Sequence, residues 1–200
     1  MKRVLGIFAI VGGFLIALVQ LWLQFDPHSF VAAYFHLVGL VFTAIGLIGL
    51  YLIQYKSIGG FGFFSFVLLS ISLYLWIGYH WFQTFVFLDL LKSFPGMENS
   101  VLSSMVYGKN LALYSLLSSI LIFAGISLWK GILSRWGMAL LFLVPFMILI
   151  PYGSIAAHLL AGTSFIWSGI TLCKRKAAVA ETEAENPLQE LQQKKLEANQ

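Results

Sequence analysis

Apolar residues run along this chain in long blocks, and the short stretches between them hold nearly every charge. The blocks fall at about 4 to 25, 30 to 54, 61 to 86, 110 to 129, 136 to 151 and 154 to 173. None alternates apolar with polar residues as a half-buried strand would, and each approaches the ~20 helical residues that cross a ~30 Å hydrocarbon core. The pattern therefore predicts an all-α polytopic membrane bundle with six transmembrane helices over residues 1–173. A polar tail, expected to be partly helical or disordered, follows over residues 174–200. The first block opens Met1-Lys2-Arg3 like a signal peptide, but its apolar run exceeds the usual 7 to 15 residues. No small-residue cleavage site precedes Phe25-Asp26-Pro27, so the block is expected to serve as the first span.

Charge sharpens this reading. Only eight of the 170 residues from Val4 to Cys173 are Asp, Glu, Lys or Arg, and none lies inside a block. Near a bilayer centre each charge costs at least ~2.5 to 3.5 kcal/mol, so the charges mark the loops. Lys2, Arg3, Lys56, Lys130, Arg135, Lys174, Arg175 and Lys176 fall on one predicted side, whereas Lys92 and Lys109 fall on the other. By the positive-inside rule both termini are cytoplasmic. The net charge of +4 has no soluble basic surface to act from, which argues against nucleic acid and leaves the lipid bilayer as the expected partner. The single cysteine, Cys173, excludes an intramolecular disulfide and stands beside the basic cluster, as suits a reducing face.

Gly125 to Lys130 (GISLWK) and Gly169 to Lys174 (GITLCK) match at four positions plus a Ser/Thr exchange, with a fainter echo at Gly49-Leu50-Tyr51. The three would close the even-numbered spans, which raises a threefold-repeated helix hairpin as an expectation. The run GISLWKGILSRWG from Gly125 to Gly137, with GLIGLYL from Gly46 to Leu52, resembles short patterns in small six-span bacterial membrane proteins, most of them uncharacterised. The resemblance implies a multi-pass protein of a bacterial inner membrane and carries no catalytic residue with it.

Ala9, Gly13 and Ala17 recur every fourth position and predict a close-packing face in the first span, as do Ala157 and Ala161 in the sixth. Pro145 predicts a kink in the fifth. In the longest loop, from Phe87 to Lys109, a Phe94-Pro95-Gly96 turn precedes Val101, Leu102, Met105 and Val106 at helical spacing, which suggests a short helix lying in the interface. In the tail, Asn186 and Pro187 read as the start of a solvated helix.

Chemistry is sparse. The chain contains no HExxH, HxxxH or phosphate-binding glycine loop, and no GxSxG in a strand-turn-helix context. Without a charge deep in any span, ion-coupled transport and voltage sensing lose their usual machinery. A polarity bias remains. Gln20, Gln24, Asp26, His28, Tyr34 and His36 fall towards the predicted outer side, as do Tyr79, His80, Gln83, Tyr152 and His158. His36 and His80 lie about six residues below the surface, or ~9 Å at 1.5 Å per residue, and His158 about one turn in. In one reading these are boundary residues bonded to Tyr, water or backbone. In the other, His36, His80 and His158 form a cofactor-binding site for haem or a transition metal. The functional classes left open are a structural, accessory or small-molecule-binding role, a haem or metal redox protein, and a facilitator for an uncharged solute.

Orientation is directly testable. Reporter fusions after Lys56, Ser134 and Lys176 should report the cytoplasm and one near Glu98 the exterior; an exterior signal at Ser134 would exclude six spans.

Overall fold

A computed structural model describes residues 2–26, 29–87, 90, 93, 98–131 and 133–174, without the side chains of residues 2 and 98–102. His28, the Phe94-Pro95-Gly96 turn and the tail beyond Lys174 lie outside these residues. All regular structure among them is helical: α1 (Lys2–Phe25), α2 (Phe30–Phe82) running on into a π-helical turn (Gln83–Phe87), α3 (Glu98–Lys130), α4 (Arg135–Ile148) and α5 (Gly153–Lys174). Four stretches are long and apolar enough to cross a membrane: Arg3–Phe25, Phe30–Phe87, Ser103–Lys130 and Gly153–Lys174. With no water to satisfy backbone groups in hydrocarbon, helices meet that need within one segment.

The second stretch is 58 residues long. At 1.5 Å per residue it would reach ~87 Å if straight, nearly three hydrocarbon thicknesses. It is not straight. Gly59 adopts φ 60° and ψ −156°, a conformation essentially reserved for glycine, and the chain doubles back there. Tyr51 stacks on Phe66 with centroids 4.2 Å apart, and Phe30 meets Phe85 edge-on at 5.9 Å, so the two limbs run antiparallel from the turn to their far ends. Ser29 caps the first limb, its hydroxyl accepting from the Ala32 N–H at 3.3 Å.

Helix α1 is a wedge between two partners. A Cβ placed on Gly46 would lie 2.6 Å from the Ala9 Cα, and one on Gly12 2.6 Å from the Thr43 nitrogen, so α1 packs antiparallel on the first limb of α2. On its other side Gly13 abuts the carbonyl of Gly162, and a Cβ on Gly6 would stand 3.0 Å from the carbonyl of Gly169. The predicted small-residue face is thus divided: Ala9 serves α2, whereas Gly13 and Ala17 serve α5. Four residues advance a helix by more than one full turn, so a column spaced by four drifts round the axis and reaches a second neighbour. Ala157 in α5 is buried, and Ala161 packs against the core.

The Gly125 and Gly169 motifs differ in use. Gly169 is in close contact with α1, but a Cβ on Gly125 would meet only Phe142 at 3.8 Å. The sequence echo is not matched by equivalent packing.

Two boundaries also differ from expectation. The interface helix foreseen before residue 110 is continuous with the following span, since α3 runs unbroken from Glu98 to Lys130. Within that junction the weakest residue is Gly108, which costs a helix only about 1 kcal/mol relative to Ala. Helix α4 is short, 14 residues with Pro145 buried inside it. It tightens at Leu149 and Ile150, which donate to Phe146 and Met147, and turns at Tyr152 with φ 64° before α5 begins. Pro151 disfavours helical backbone at Ile150 and so helps end α4 there. The Ser164 hydroxyl donates to the Gly137 carbonyl at 2.7 Å and joins α4 to α5.

Leucine at position 13 would have to displace Gly162 backbone rather than a flexible side chain. Gly13→Leu should destabilise the protein in detergent by roughly 2 to 3 kcal/mol, read as a lowered unfolding temperature. An unchanged melting curve would contradict the α1–α5 contact.

Candidate functional site

Packing brings one imidazole from each of three helical segments together. His36 comes from the first limb of α2, His80 from the second and His158 from α5. The His36 and His80 ring centroids lie 4.8 Å apart, and those of His36 and His158 5.7 Å apart. His36 is 4% exposed. Trp76 sets its ring edge-on to His80 at 4.7 Å, with Tyr79 beside it at 5.5 Å, fixing that imidazole between two aromatic side chains.

Their hydrogen bonding is incomplete. His158 Nδ1 lies 2.7 Å from the Ser154 carbonyl and donates to it, so in the neutral ring the lone pair sits on Nε2. Neither ring nitrogen of His36 has a partner in the protein, nor does Nε2 of His80 or the buried Thr43 hydroxyl two turns deeper. Buried polar groups in folded proteins are nearly always satisfied, and each failure costs ~1 to 3 kcal/mol. A cluster of such groups marks a place where water or a ligand can supply the missing partners.

These three histidines line a cavity of about 710 Å³. The size lies within the ~300 to 1,000 Å³ range of small-molecule sites. At the histidine end Gln20, Tyr79, Gln83, Thr84 and Lys109 contribute polar groups to the wall, with Ser29 and Ser154 close by in sequence to the same level. Deeper in the bundle the wall turns apolar, through Leu47, Leu69, Ile120, Leu141 and Phe165. The π-helical turn supplies Gln83, Thr84 and Phe87 to the wall. A wider turn of this kind rotates successive side chains relative to an α-helix, and such turns frequently occur at functional sites.

Among the described residues, Lys109 is the only Asp, Glu, Lys or Arg that lines the cavity. No group of three or more His, Cys, Asp or Glu among the described residues has an arrangement that could hold a metal ion. Among the described residues, no carboxylate lines the cavity beside an imidazole to polarise it for acid–base work. The arrangement offers hydrogen-bond donors and imidazole lone pairs at one end of an apolar chamber.

All three histidines expected as a site line this one cavity, together with Gln20, Tyr79 and Gln83. Gln24, Asp26, Tyr34 and Tyr152 are exposed and do not line it; Tyr152 is 94% exposed and Gln24 donates to the Gln20 carbonyl at 3.4 Å. Sequence reasoning used Lys109 only as an orientation charge and did not single out Trp76, Thr43 or Thr84. A signal for them existed. Ser29, Ala33, His36, Leu40, Thr43 and Leu47 follow one another at intervals of three and four, so they form a single stripe on the first limb, and all line the cavity. Leu69, Leu73, Trp76, His80, Gln83 and Phe87 do the same on the second limb and its π-turn.

Compared with protein-family models, curated proteins and solved structures, the chain gives no match.

Because His36 is buried without partners, an apolar side chain of similar size should be tolerated better than the imidazole when no ligand is bound. His36→Leu should leave ligand-free stability unchanged or raise it by about 1 kcal/mol. A loss of 2 kcal/mol or more in a thermal or denaturant melt would show that the imidazole is satisfied within the protein.

Proposed function

We propose that this is an integral membrane protein that crosses the bilayer six times and binds an amphiphilic small molecule inside its helical bundle. The observation that carries the binding reading is the two-ended cavity: unpartnered imidazole nitrogens of His36 and His80 at one end, and a wall of leucine, isoleucine, valine and phenylalanine beyond. A ligand with a hydrogen-bonding head and an apolar body satisfies both ends at once. Water would satisfy only the first.

Six crossings are supported by the antiparallel limbs of α2, each about half of the 58-residue stretch and, at ~43 Å, more than long enough to cross a ~30 Å hydrocarbon core, and by α4, whose 14 residues give ~21 Å. A helix that short needs local thinning of the bilayer or polar residues reaching outward at its ends. Arg135 and Tyr152 stand just there. Arg3, Lys56, Lys130, Arg135 and Lys174 belong to helix ends remote from the histidines, in keeping with Cys173 Sγ lying 3.8 Å from the Arg3 carbonyl. The positive-inside rule then puts those ends, with both termini, in the cytoplasm and the histidine end towards the exterior. A bacterial inner membrane is the setting that the resemblance of Gly125 to Gly137 suggests.

A second reading rests on the same unpartnered nitrogens, taken as ligands to a transition metal or haem iron. The backbone bond at His158 Nδ1 is the kind of orienting contact that metal-binding imidazoles use. Haem fits less well than a single ion. Two axial Fe–N bonds of ~2 Å plus the imidazole rings themselves put ring centroids about 6 Å apart, and His36 and His80 stand at 4.8 Å.

Mass spectrometry on the organic extract of protein purified in mild detergent distinguishes these readings. The amphiphile reading expects a near-stoichiometric lipid-like molecule that His36→Leu protein loses. A Soret band or stoichiometric metal without any bound amphiphile would favour the second reading. Recovery of neither, together with no thermal stabilisation by any amphiphile tried, would leave the cavity without a binding role.

A further inference from the structure

The electrostatics of the polar end specify the head group. Most polar side chains there can donate a hydrogen bond: the imidazoles of His36 and His80, the amides of Gln20 and Gln83 and the phenol of Tyr79, whereas His158 has its N–H committed to the Ser154 carbonyl. Lys109 adds a fixed positive charge, and no Asp or Glu among the described residues lines the cavity to neutralise it. Lys109 also stands at the right level. The neighbouring α3 residues Met105, Gly108 and Ala112 share a small surface hollow with Leu75, Tyr79 and Phe82 of α2, which places Lys109 alongside the Tyr79–His80 turn. The Lys109 ammonium would repel a cationic head. A neutral alcohol would use the donors alone, whereas an anion uses both the donors and the charge.

The rest of the cavity limits what is attached to that head. From His36 to Leu47 the first limb rises through eleven residues, roughly 16 Å, about the length of an extended chain of a dozen carbons. With a heavy atom given roughly the ~30 Å³ that one water occupies in the liquid, the cavity of about 710 Å³ holds some two dozen non-hydrogen atoms. One chain and a compact head fit, but a two-chain phospholipid does not.

Resting on the amphiphile-binding reading, we propose that the ligand is a single-chain anionic amphiphile, its carboxylate or phosphate monoester held between the Lys109 ammonium and the imidazole N–H groups of His36 and His80. Charge-assisted bonds from ammonium and imidazole to oxyanions are stronger than neutral ones. His36 contributes a donor with no competing partner in the protein, and Lys109 contributes the charge that separates an acid from an alcohol of equal length. The two oxyanions share this chemistry and differ in size and charge, so competition between them identifies the preferred head.

Trp76 makes the test direct, because it lines the cavity and touches the His80 ring. Full-length protein in a neutral detergent is titrated with a brominated long-chain carboxylate and with the brominated alcohol of the same chain. The fluorescence component that disappears in Trp76→Phe reports quenching inside the cavity. Hexadecyl phosphate is added as a competitor. The carboxylate should quench saturably at least tenfold more tightly than the alcohol. Lys109→Gln should remove that preference and Lys109→Arg should restore it, with melting curves confirming that both variants fold. Efficient displacement by the phosphate at lower concentration than by unlabelled carboxylate would assign the head as a phosphate monoester. Equal affinity for acid and alcohol, unaffected by Lys109→Gln, would overturn the anionic head while leaving the amphiphile reading intact. Absence of saturable quenching by either probe, with no effect of the phosphate, would overturn both.

Discussion

Backbone-to-backbone contact along α1 is the constraint on which the site depends. Where Gly13 meets Gly162 no side chain intervenes, and where Gly46 meets Ala9 only a methyl group does, so the helices approach closely and interlock in one register. In lipid, where apolar burial between helices gains little, such packing supplies the association that hydrophobicity supplies in water. Continued along its length, the register of α1 sets His36 opposite Val19 and His158 opposite Ala17, within about one helical rise or two of the same depth. The Gly59 turn does the same for His80 by pairing the two limbs of α2. Three imidazoles distant in sequence therefore arrive at one level through two local devices, a glycine ridge and a glycine turn.

Those devices leave a space behind them. The cavity lies inside the bundle, its wall drawn from every helix, with Ile16 and Gln20 of α1, Leu69 and Leu73 of α2, Ile120 of α3, Leu141 of α4 and Phe165 of α5 all contributing. Pro145 is buried in α4 beside the cavity-lining Val144 and withholds the backbone donor that the Leu141 carbonyl would otherwise receive. The π-helical turn after Phe82 acts similarly at the histidine end, turning Gln83, Thr84 and Phe87 inward. Irregular backbone in membrane proteins is tolerated where it is buried or lines a cavity, and here both irregular stretches have residues in the wall.

The cavity wall divides sharply in kind. Several hydroxyls elsewhere in the bundle bond to carbonyls of the preceding helical turn, as Ser72 does to Leu68 and Ser119 to Leu116, and so disappear into the helix. An imidazole cannot satisfy both nitrogens this way, and His36 satisfies neither. The unsatisfied groups nearest the cavity are thus the ones with the greatest capacity to bind something else. Gln54, Ser127 and Ser168 are also unpartnered but do not line this cavity.

The apolar blocks and loop charges were sufficient to show helices of membrane-crossing length, because charge in hydrocarbon is costly enough to be excluded from every block. They placed Pro145 in its helix and the three histidines at similar depths, since depth follows from residue count at a fixed rise. Facing direction was not available in that way. Whether an imidazole points to lipid or to a neighbour depends on which helices pack together, and that is decided by contacts such as Gly6 with Gly169, 163 residues apart. The division of the Ala9–Gly13–Ala17 column between two partners, the merging of the foreseen interface helix into α3, and the entry of Lys109 into the cavity wall all have this origin. The sequence alone determined solvent, element type and depth, which are properties of single segments. Rotation about each helix axis, and with it the site, belonged to the tertiary structure, because rotation is set by the shape of a neighbour that local sequence does not contain.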